Sequence, residues 1–322
     1  MNILIISIFF LCFSVHGQTI TETFGSGSNA FSIEFVTIGN PGNAADTGTY
    51  FNTLTPYSAG SVAYAYHLGK YEISRDQITK ATETGGLGLS LADMTLYGGN
   101  GANRPATGID WYEAARFVNW LNTSTGNPAA YKFDGSGNFV IWNSSDAGYQ
   151  SSNPYRNRFA RYWLPNKDEW YKGAYGSPEG NWYRYPIGSD SDPIPVNGGT
   201  ESGTAVYGQT VNAGPADVTN AGGLSAFGTM GQGGNIFEWT ETAYDGTNDS
   251  AQETREVRSA NWYSGSVSLL DSSRVENAPT FPGIGYGFRV ASVPEPSSLW
   301  LLFVGGAVLM AGRRKNRIRG QD

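Results

Sequence analysis

Residues 233–240, with the sequence Gly-Gly-Asn-Ile-Phe-Glu-Trp-Thr, combine residue types that could bind a hard cation. Asn235 and Glu238 carry side-chain oxygens three positions apart, and the Ile236 carbonyl lies between them. Calcium prefers oxygen ligands of these kinds, and the preceding glycine pair leaves the backbone free to turn around an ion. The same pattern is typical of a turn followed by a strand with a packed tryptophan, so this short motif leaves both interpretations open.

Sulfur and imidazole chemistry is nearly absent from the chain. The only cysteine is Cys12, and the two histidines are His16 and His67. We expect residues 1–17 to be removed, which leaves one histidine and no thiol. These counts exclude a disulfide, a thiolate metal site and a zinc site built from several histidines. His67 stands among tyrosines, a setting that favours a structural histidine over a catalytic one.

Carboxylates are the remaining candidates for catalysis. Four of them lie near the aromatic motifs: Asp168, Glu169, Glu238 and Asp245. A pair of carboxylates can cleave glycosides when the two groups are suitably separated. The sequence contains no information on that separation, so an enzyme with cysteine-free chemistry stands as an alternative to a binding protein.

The composition of the chain indicates a folded core, and its charge argues against one class of partner. Glycine contributes 43 of 322 residues and aromatic residues 14%, so the chain is rich in loops but has enough apolar area for a core. The last ten residues hold five of the 21 basic residues, and residues 18–312 hold 16 basic against 27 acidic residues. An acidic body of this kind argues against nucleic acid as a partner.

The two ends look like export and sorting segments. Residues 3–14 form a short apolar run that ends before Gly17, which favours a signal peptide over residues 1–17. Near the other end, Pro294, Glu295 and Pro296 precede residues 299–312, which carry no charge, and an arginine-rich cluster. An apolar span closed by basic residues predicts a membrane segment with the body facing outward.

This C-terminal pattern resembles the bacterial PEP-CTERM sorting signal, and an ordinary C-terminal anchor is the alternative. The resemblance covers residues 293–322 and includes the Pro-Glu-Pro motif, the apolar span and the arginine cluster. It implies recognition by an exosortase, a membrane transpeptidase. It also implies an envelope or exopolysaccharide-associated destination, with membrane anchoring before processing.

Three helix starts are predicted from reciprocal capping pairs. Each pair places a short polar residue three positions before Glu or Gln: Ser74 with Gln77, Asp110 with Glu113, and Asn166 with Glu169. Such pairs satisfy backbone N–H groups at a helix N-terminus, so we expect Asp110 and Glu113 to be caps rather than catalytic carboxylates.

Strands are predicted over residues 31–36, 62–71, 257–263 and 285–290, from alternation and aromatic content. No repeat or linker interrupts residues 18–292, so one α+β domain, loop-rich and low in regular secondary structure, is the expected fold.

A series of motifs in chain order resembles the sulfatase-modifying factor family, the formylglycine-generating enzyme domain, over residues 60–291. The pieces are residues 71–74, 104–105 with 110–115, 161–165 with 169–170, 234–239, and 258–262 with 287–289. The resemblance implies a C-type-lectin-like fold with structural calcium. It places one calcium site at Asn235, Ile236 and Glu238, and a second at Asn197, Gly198, Asp217 and Thr219.

The resemblance to that family does not extend to its oxidase chemistry. The family uses two cysteines to bind copper, and those positions hold Ser264 and Leu269 here. Copper(I) favours soft sulfur ligands, which neither side chain supplies. We therefore expect an exported, non-catalytic binding or structural module, with an extracellular polysaccharide as a plausible partner. A residual sulfatase-modifying oxidase is the other alternative.

Overall fold

The computed structural model describes residues 19–51 and 53–294, which contain three α-helices and fifteen short strands. The helices are α1 (Arg75–Gly85), α2 (Trp111–Ser124) and α3 (Lys167–Tyr175). The strands are β1 (Thr19–Phe24), β2 (Phe31–Ile38), β3 (Asp46–Thr49), β4 (Pro56–Ala59), β5 (Tyr66–Gly69), β6 (Lys132–Phe133), β7 (Phe139–Val140), β8 (Tyr162–Trp163), β9 (Ile194–Pro195), β10 (Thr204–Ala205), β11 (Phe237–Ala243), β12 (Arg255–Arg258), β13 (Val275–Asn277), β14 (Tyr286–Gly287) and β15 (Ala291–Ser292).

All three predicted helix starts are confirmed, and each carries the complete reciprocal cap. The side chains of Ser74, Asp110 and Asn166 accept from the backbone three residues on, and the Gln or Glu side chain there accepts from the cap backbone. At the other end of α1, Gly86 has a left-handed backbone and donates to the Thr82 carbonyl, which ends that helix. Burial of one face supplies most of the remaining stability.

The first sheet is antiparallel and has the strand order β1-β2-β5-β15-β8. The prediction for residues 31–36 is confirmed by β2. The strand expected over residues 62–71 is shorter, because only Tyr66–Gly69 pairs with neighbours on both sides.

The second sheet has the order β13-β12-β11-β14, with β11 antiparallel to β12 and parallel to β14. The strand predicted at 257–263 ends at Arg258, since Ser259 has a left-handed backbone (φ 72°) that leaves the ladder. The strand predicted at 285–290 is divided between the two sheets. Tyr286–Gly287 pairs with β11, while the carbonyl of Val290 accepts from Gly69 beside the first sheet.

The chain therefore crosses from the second sheet to the first at residues 288–290. Aromatic and aliphatic side chains fill the space between the sheets and α2, and Trp111, Trp239 and Phe288 have no exposed surface. The indole N–H of Trp239 donates to the carbonyl of Ile109 at 2.9 Å, which satisfies its one polar group inside the core.

The first compact unit of the chain ends at Ser292. The predicted signal peptide, Glu295 and Pro296 of the sorting signal, and the span 299–312 lie outside the described residues. Within residues 19–51 and 53–294, every helix is too short or too polar to cross a bilayer.

Candidate functional site

Glu238, the acidic residue of the opening motif, meets an arginine in the protein core. Its two carboxylate oxygens accept from Nη2 and Nε of Arg289, each at 2.6 Å, and the indole of Trp170 donates to it at 2.7 Å. All three side chains are fully buried. Arg289 also donates to the carbonyls of Gly69 and Met230, at 2.8 and 2.9 Å. This bidentate pair is the strongest geometry available to a buried guanidinium and a carboxylate.

A second carboxylate, Glu72, lies beside this pair. The side-chain amide of Asn235 donates to both of its oxygens, at 3.1 and 2.8 Å. Burial raises the pKa of Glu72, the nearby Glu238 carboxylate raises it further, and Arg289 opposes the change. We call Glu72, Trp170, Asn235, Glu238 and Arg289 the motif network.

The turn at the start of the opening motif is what brings Asn235 into the motif network. Gly234 has a φ of 121°, and an added Cβ would lie 2.3 Å from the Val206 carbonyl. Asn235 follows with a left-handed backbone (φ 64°), which asparagine tolerates better than most residues. The turn followed by a strand, one of the two interpretations of this motif, is what the structure contains.

The side-chain oxygens of Asn235 and Glu238, in the first predicted calcium site, already make contacts within the protein. The side-chain oxygen of Asn235 accepts from the Ala216 backbone at 2.7 Å, and both oxygens of Glu238 bind Arg289. A calcium ion at Glu238 would have to replace a guanidinium that already neutralises this carboxylate. No group of three or more His, Cys, Asp or Glu side chains close enough for a metal occurs within the described part of the chain.

The second predicted calcium set lies at the surface, where two loops run side by side. The backbone N–H of Gly199 donates to the backbone carbonyl of Asn220 at 2.9 Å, and the backbone N–H of Asn220 donates to the backbone carbonyl of Asp217 at 2.8 Å. These bonds bring the Asn197–Gly198 stretch next to the loop of Asp217 and Thr219. Asn197 and Thr219 are exposed and Asp217 is half-buried, so their oxygens face solvent rather than the core.

The four candidate catalytic carboxylates do not form one site. Glu238 belongs to the motif network, and Asp245 is exposed in the loop between β11 and β12. Asp168 accepts from the backbone of Gly60 and from Lys167, each at 2.9 Å.

Glu169 is buried in a separate charged cluster. Its oxygens accept from Tyr64, at 2.5 Å, and from the indole of Trp163, at 2.9 Å. Arg156 lies 3.7 Å from Glu169 and 3.6 Å from Glu241, a second buried carboxylate. Burial raises the pKa of Glu241, and Arg156 opposes that change.

His67 is buried in β5, at the centre of the first sheet, between Thr37 and Ser292. This position agrees with the structural role expected for it. It also removes the imidazole from any surface where it could serve a substrate.

The positions matched to the copper cysteines make contacts of other kinds. The Ser264 hydroxyl donates to the side chain of Asn261 at 2.7 Å. Leu269 has no exposed surface and packs among Tyr185, Ile187, Ala205, Tyr207, Ala260 and Leu270. These surroundings do not fit copper, because they offer one hydroxyl already in use and an apolar cluster.

Arg289 and Glu72 were not predicted as site residues from the sequence. Each is a charged residue between apolar ones, in Tyr71-Glu72-Ile73 and Phe288-Arg289-Val290, like Glu238 between Phe237 and Trp239. A charge in such a run is buried with its neighbours and needs an opposite charge or a hydrogen bond. That signal could have identified the charged residues, although not which of them would meet.

Comparison with known proteins gives two family matches. The sulfatase-modifying factor enzyme 1-like domain matches residues 33–293, and the PEP-CTERM protein-sorting motif matches residues 292–315. The sorting motif implies recognition by an exosortase and sorting to the cell envelope. No curated protein matched the chain in sequence.

Several solved structures share the fold. Variable protein 1 of Treponema denticola aligns with a TM-score of 0.60 and 18% identity, over 86% of this chain and 99% of its own. CarF aligns with a TM-score of 0.56 and 18% identity, over 82% and 99%. PvdO from Pseudomonas aeruginosa aligns with a TM-score of 0.53 and 18% identity, over 85% and 98%. At this level of identity the likeness concerns the fold alone.

Proposed function

Since the chain belongs to the sulfatase-modifying factor enzyme 1-like domain family and carries a PEP-CTERM motif, we propose that it is an exported surface protein that binds an envelope partner without catalysis. The observation that carries the proposal is the environment of Ser264 and Leu269. One side chain braces a loop and the other fills an apolar cluster, so these positions serve packing. The chain has the fold of the family, but Ser264 and Leu269 stand where cysteines are expected to do the chemistry.

A direct test asks whether the oxidase reaction persists. The purified full chain is incubated with copper and a sulfatase-type cysteine peptide, and the peptide is examined for aldehyde by mass spectrometry. We expect no aldehyde, and none after the Ser264→Ala change either. Aldehyde formed by the unaltered chain would contradict the proposal and favour the residual oxidase instead.

The proposed partner is an extracellular polysaccharide. The motif implies an envelope destination, and sugar polymers at that surface present rings and hydroxyl groups to a protein rich in tyrosine and asparagine. Membrane anchoring through residues 299–312 before processing belongs to the same proposal. Affinity electrophoresis against a panel of envelope glycans tests the partner, and unchanged migration on every glycan would count against it.

Calcium and a C-type-lectin-like description of the fold also belong to this proposal. Asn197 and Asp217 are the better-placed ligands, since their side chains lie at the surface on adjacent loops. An ion that binds only the folded chain raises its melting temperature with concentration. We expect calcium to raise Tm for the unaltered chain and not for Asp217→Ala. An equal rise in both would remove the second site from the proposal.

A further inference from the structure

We propose that a cavity beside α2 binds one pyranose ring of a neutral polysaccharide, an inference that rests on the proposed binding function. The cavity has a volume of about 490 Å³ and lies between α2, the β6–β7 hairpin and the segment that follows β13. We call it the aromatic cavity. It is lined by Tyr112, Arg116, Gly137, Asn138, Phe139, Gln252, Ala278, Pro279 and Thr280.

Two aromatic rings form one wall and are held in place. The Tyr112 hydroxyl donates to the Ala251 carbonyl at 3.0 Å, which fixes the orientation of its ring. The Phe139 ring packs against it at 5.9 Å between centroids, and Trp111 supports both rings from inside the core. A rigid aromatic wall suits the apolar C–H face of a sugar ring, because little conformational freedom is lost on binding.

Polar groups with unused hydrogen-bonding capacity surround this wall. Arg116 donates from Nη2 to the Gly137 carbonyl at 3.2 Å and lies over the Phe133 ring at 5.1 Å, and within the described ranges its remaining N–H groups make no hydrogen bond. Over the same residues, the side chains of Gln252 and Thr280 make no hydrogen bond, and both are exposed. Asn138 uses its amide N–H on Asp134, at 3.2 Å, which leaves its oxygen as an acceptor. These groups match the donors and acceptors of sugar hydroxyls.

The volume of the aromatic cavity supports its choice as the sugar site, and so do the contacts already made between the side chains that line two other pockets. Small-molecule sites commonly enclose roughly 300–1,000 Å³, and the aromatic cavity lies within that range. A pocket of about 290 Å³ near Asn153 is lined by side chains that bind one another, Asn153 to Asn248 and Lys167 to Asp168. A pocket of about 310 Å³ beside α1 has its carboxylates Glu34 and Asp76 in ion pairs with lysines.

Charge favours a neutral sugar over an acidic one. Among the residues that the structure describes, Arg116 is the only charged one that lines the aromatic cavity, and the carboxylates of Asp110 and Glu113 interact with it electrostatically. The body of the chain carries 27 acidic against 16 basic residues over 18–312, which repels a polyanion. One guanidinium that is partly neutralised can donate to hydroxyls without attracting a uronate polymer.

The test compares binding of neutral and uronate polysaccharides by the full chain and by three variants. Tyr112→Leu keeps an apolar side chain but removes the ring, and Arg116→Met removes the guanidinium donors. Arg158→Met is the matched control, because Arg158 is an exposed arginine outside the cavity. We expect Arg116→Met to weaken binding of a neutral glycan about ten-fold through loss of a charged hydrogen-bond donor, and Tyr112→Leu to weaken it about ten-fold through loss of the ring surface. The control should bind normally.

The outcomes separate this inference from the proposed function. A neutral glycan that binds the unaltered chain and both cavity variants equally would place the site elsewhere, and the proposed function would stand. A preference for uronate polymers would overturn the neutral-sugar assignment. If no glycan binds the unaltered chain, the polysaccharide partner and the cavity assignment fail together. Circular dichroism of Tyr112→Leu separates lost binding from lost folding, and Arg116→Met gives a second readout that does not disturb the wall.

Discussion

The motif network and the aromatic cavity use similar residue types in opposite ways. In the motif network, Arg289 makes two bonds of 2.6 Å to Glu238 and further bonds to backbone carbonyls, with no surface left for a ligand. In the aromatic cavity of about 490 Å³, the lining residue Arg116 makes one hydrogen bond to a carbonyl and one contact with the Phe133 ring. One arginine has all its chemistry used inside the protein, and the other has most of it available.

The contrast separates residues that hold this fold together from residues that could serve a ligand. The motif network links β11, α3 and the crossing between the two sheets. The pairing of β11 with β14 places Glu238 opposite Gly287, and the ion pair extends this connection to Arg289, where the chain leaves the second sheet. The motifs that identify the family therefore mark its framework, whereas the cavity residues Arg116, Asn138 and Gln252 belong to none of the strand or glycine motifs.

The largest expected effect comes from breaking the buried pair. Arg289→Met leaves Glu238 charged, buried and without its cation, and such changes cost about 3–5 kcal/mol of stability. Urea unfolding followed by tryptophan fluorescence measures the loss. Lys80→Met, which removes a half-buried surface lysine 2.7 Å from Asp76, is the control and should cost no more than about 1 kcal/mol. Similar losses for both variants would contradict the framework role of the motif network.

A smaller effect is expected at Gly231, which packs against Glu72. Its φ is +82°, and an added Cβ would lie 3.0 Å from both oxygens of the Glu72 carboxylate. Gly246 has a similar φ of +88° and open space around it, so Gly246→Ala measures the backbone strain alone, about 1–2 kcal/mol. We expect Gly231→Ala to lower the free energy of unfolding by more than Gly246→Ala. Equal losses would mean that Glu72 moves freely, and the motif network would be looser than described.

The Lys172 amine is buried with no carboxylate partner among the described residues, so it tests the cost of burying an unpaired charge. Its amine donates to the Asn40 carbonyl at 2.8 Å, and burial lowers its pKa to about 8. Between pH 8 and the higher pKa of the unfolded chain, the unfolded state binds more protons, so stability rises with pH there. Below pH 8 the amine is charged in both states and the full burial cost remains.

Lys172→Met should therefore stabilise the chain by about 1–3 kcal/mol at pH 7, and by less as the pH approaches 10. Thermal unfolding of both proteins from pH 6 to pH 10 measures this difference. A difference that stays constant with pH would show that the pKa of Lys172 is not lowered.

The smallest effect is expected in the aromatic cavity. Arg116→Met should lower the free energy of unfolding by no more than about 1 kcal/mol, because it removes one bond to an exposed carbonyl and the contact of the guanidinium with the Phe133 ring. Urea unfolding beside Arg289→Met gives a direct ranking of the two arginines. A loss as large as that of Arg289→Met would make Arg116 part of the framework and remove the contrast between the two regions.

Much of the local structure could be predicted because it depends on residues close in sequence. The three capping pairs span four residues each, and their bonds form wherever a helix begins, so α1, α2 and α3 start where expected. The ends of the strands could be predicted less well from the sequence. The strand predicted over residues 285–290 includes Tyr286–Gly287 of the second sheet and ends just before Ala291–Ser292 of the first, and alternation alone does not reveal the crossing between them.

Three features follow from the order of residues alone: the lack of sulfur at the expected copper positions, the helix starts and the sorting motif. Each of these depends on residue identity or on bonds over a few positions. The contacts of Glu238 with Arg289 and of Asn235 with Glu72, across 51 and 163 residues, come from the folded arrangement of the sheets. A buried charge must find a partner, but its sequence neighbours do not specify which one, so the sheets that bring distant segments together make that choice.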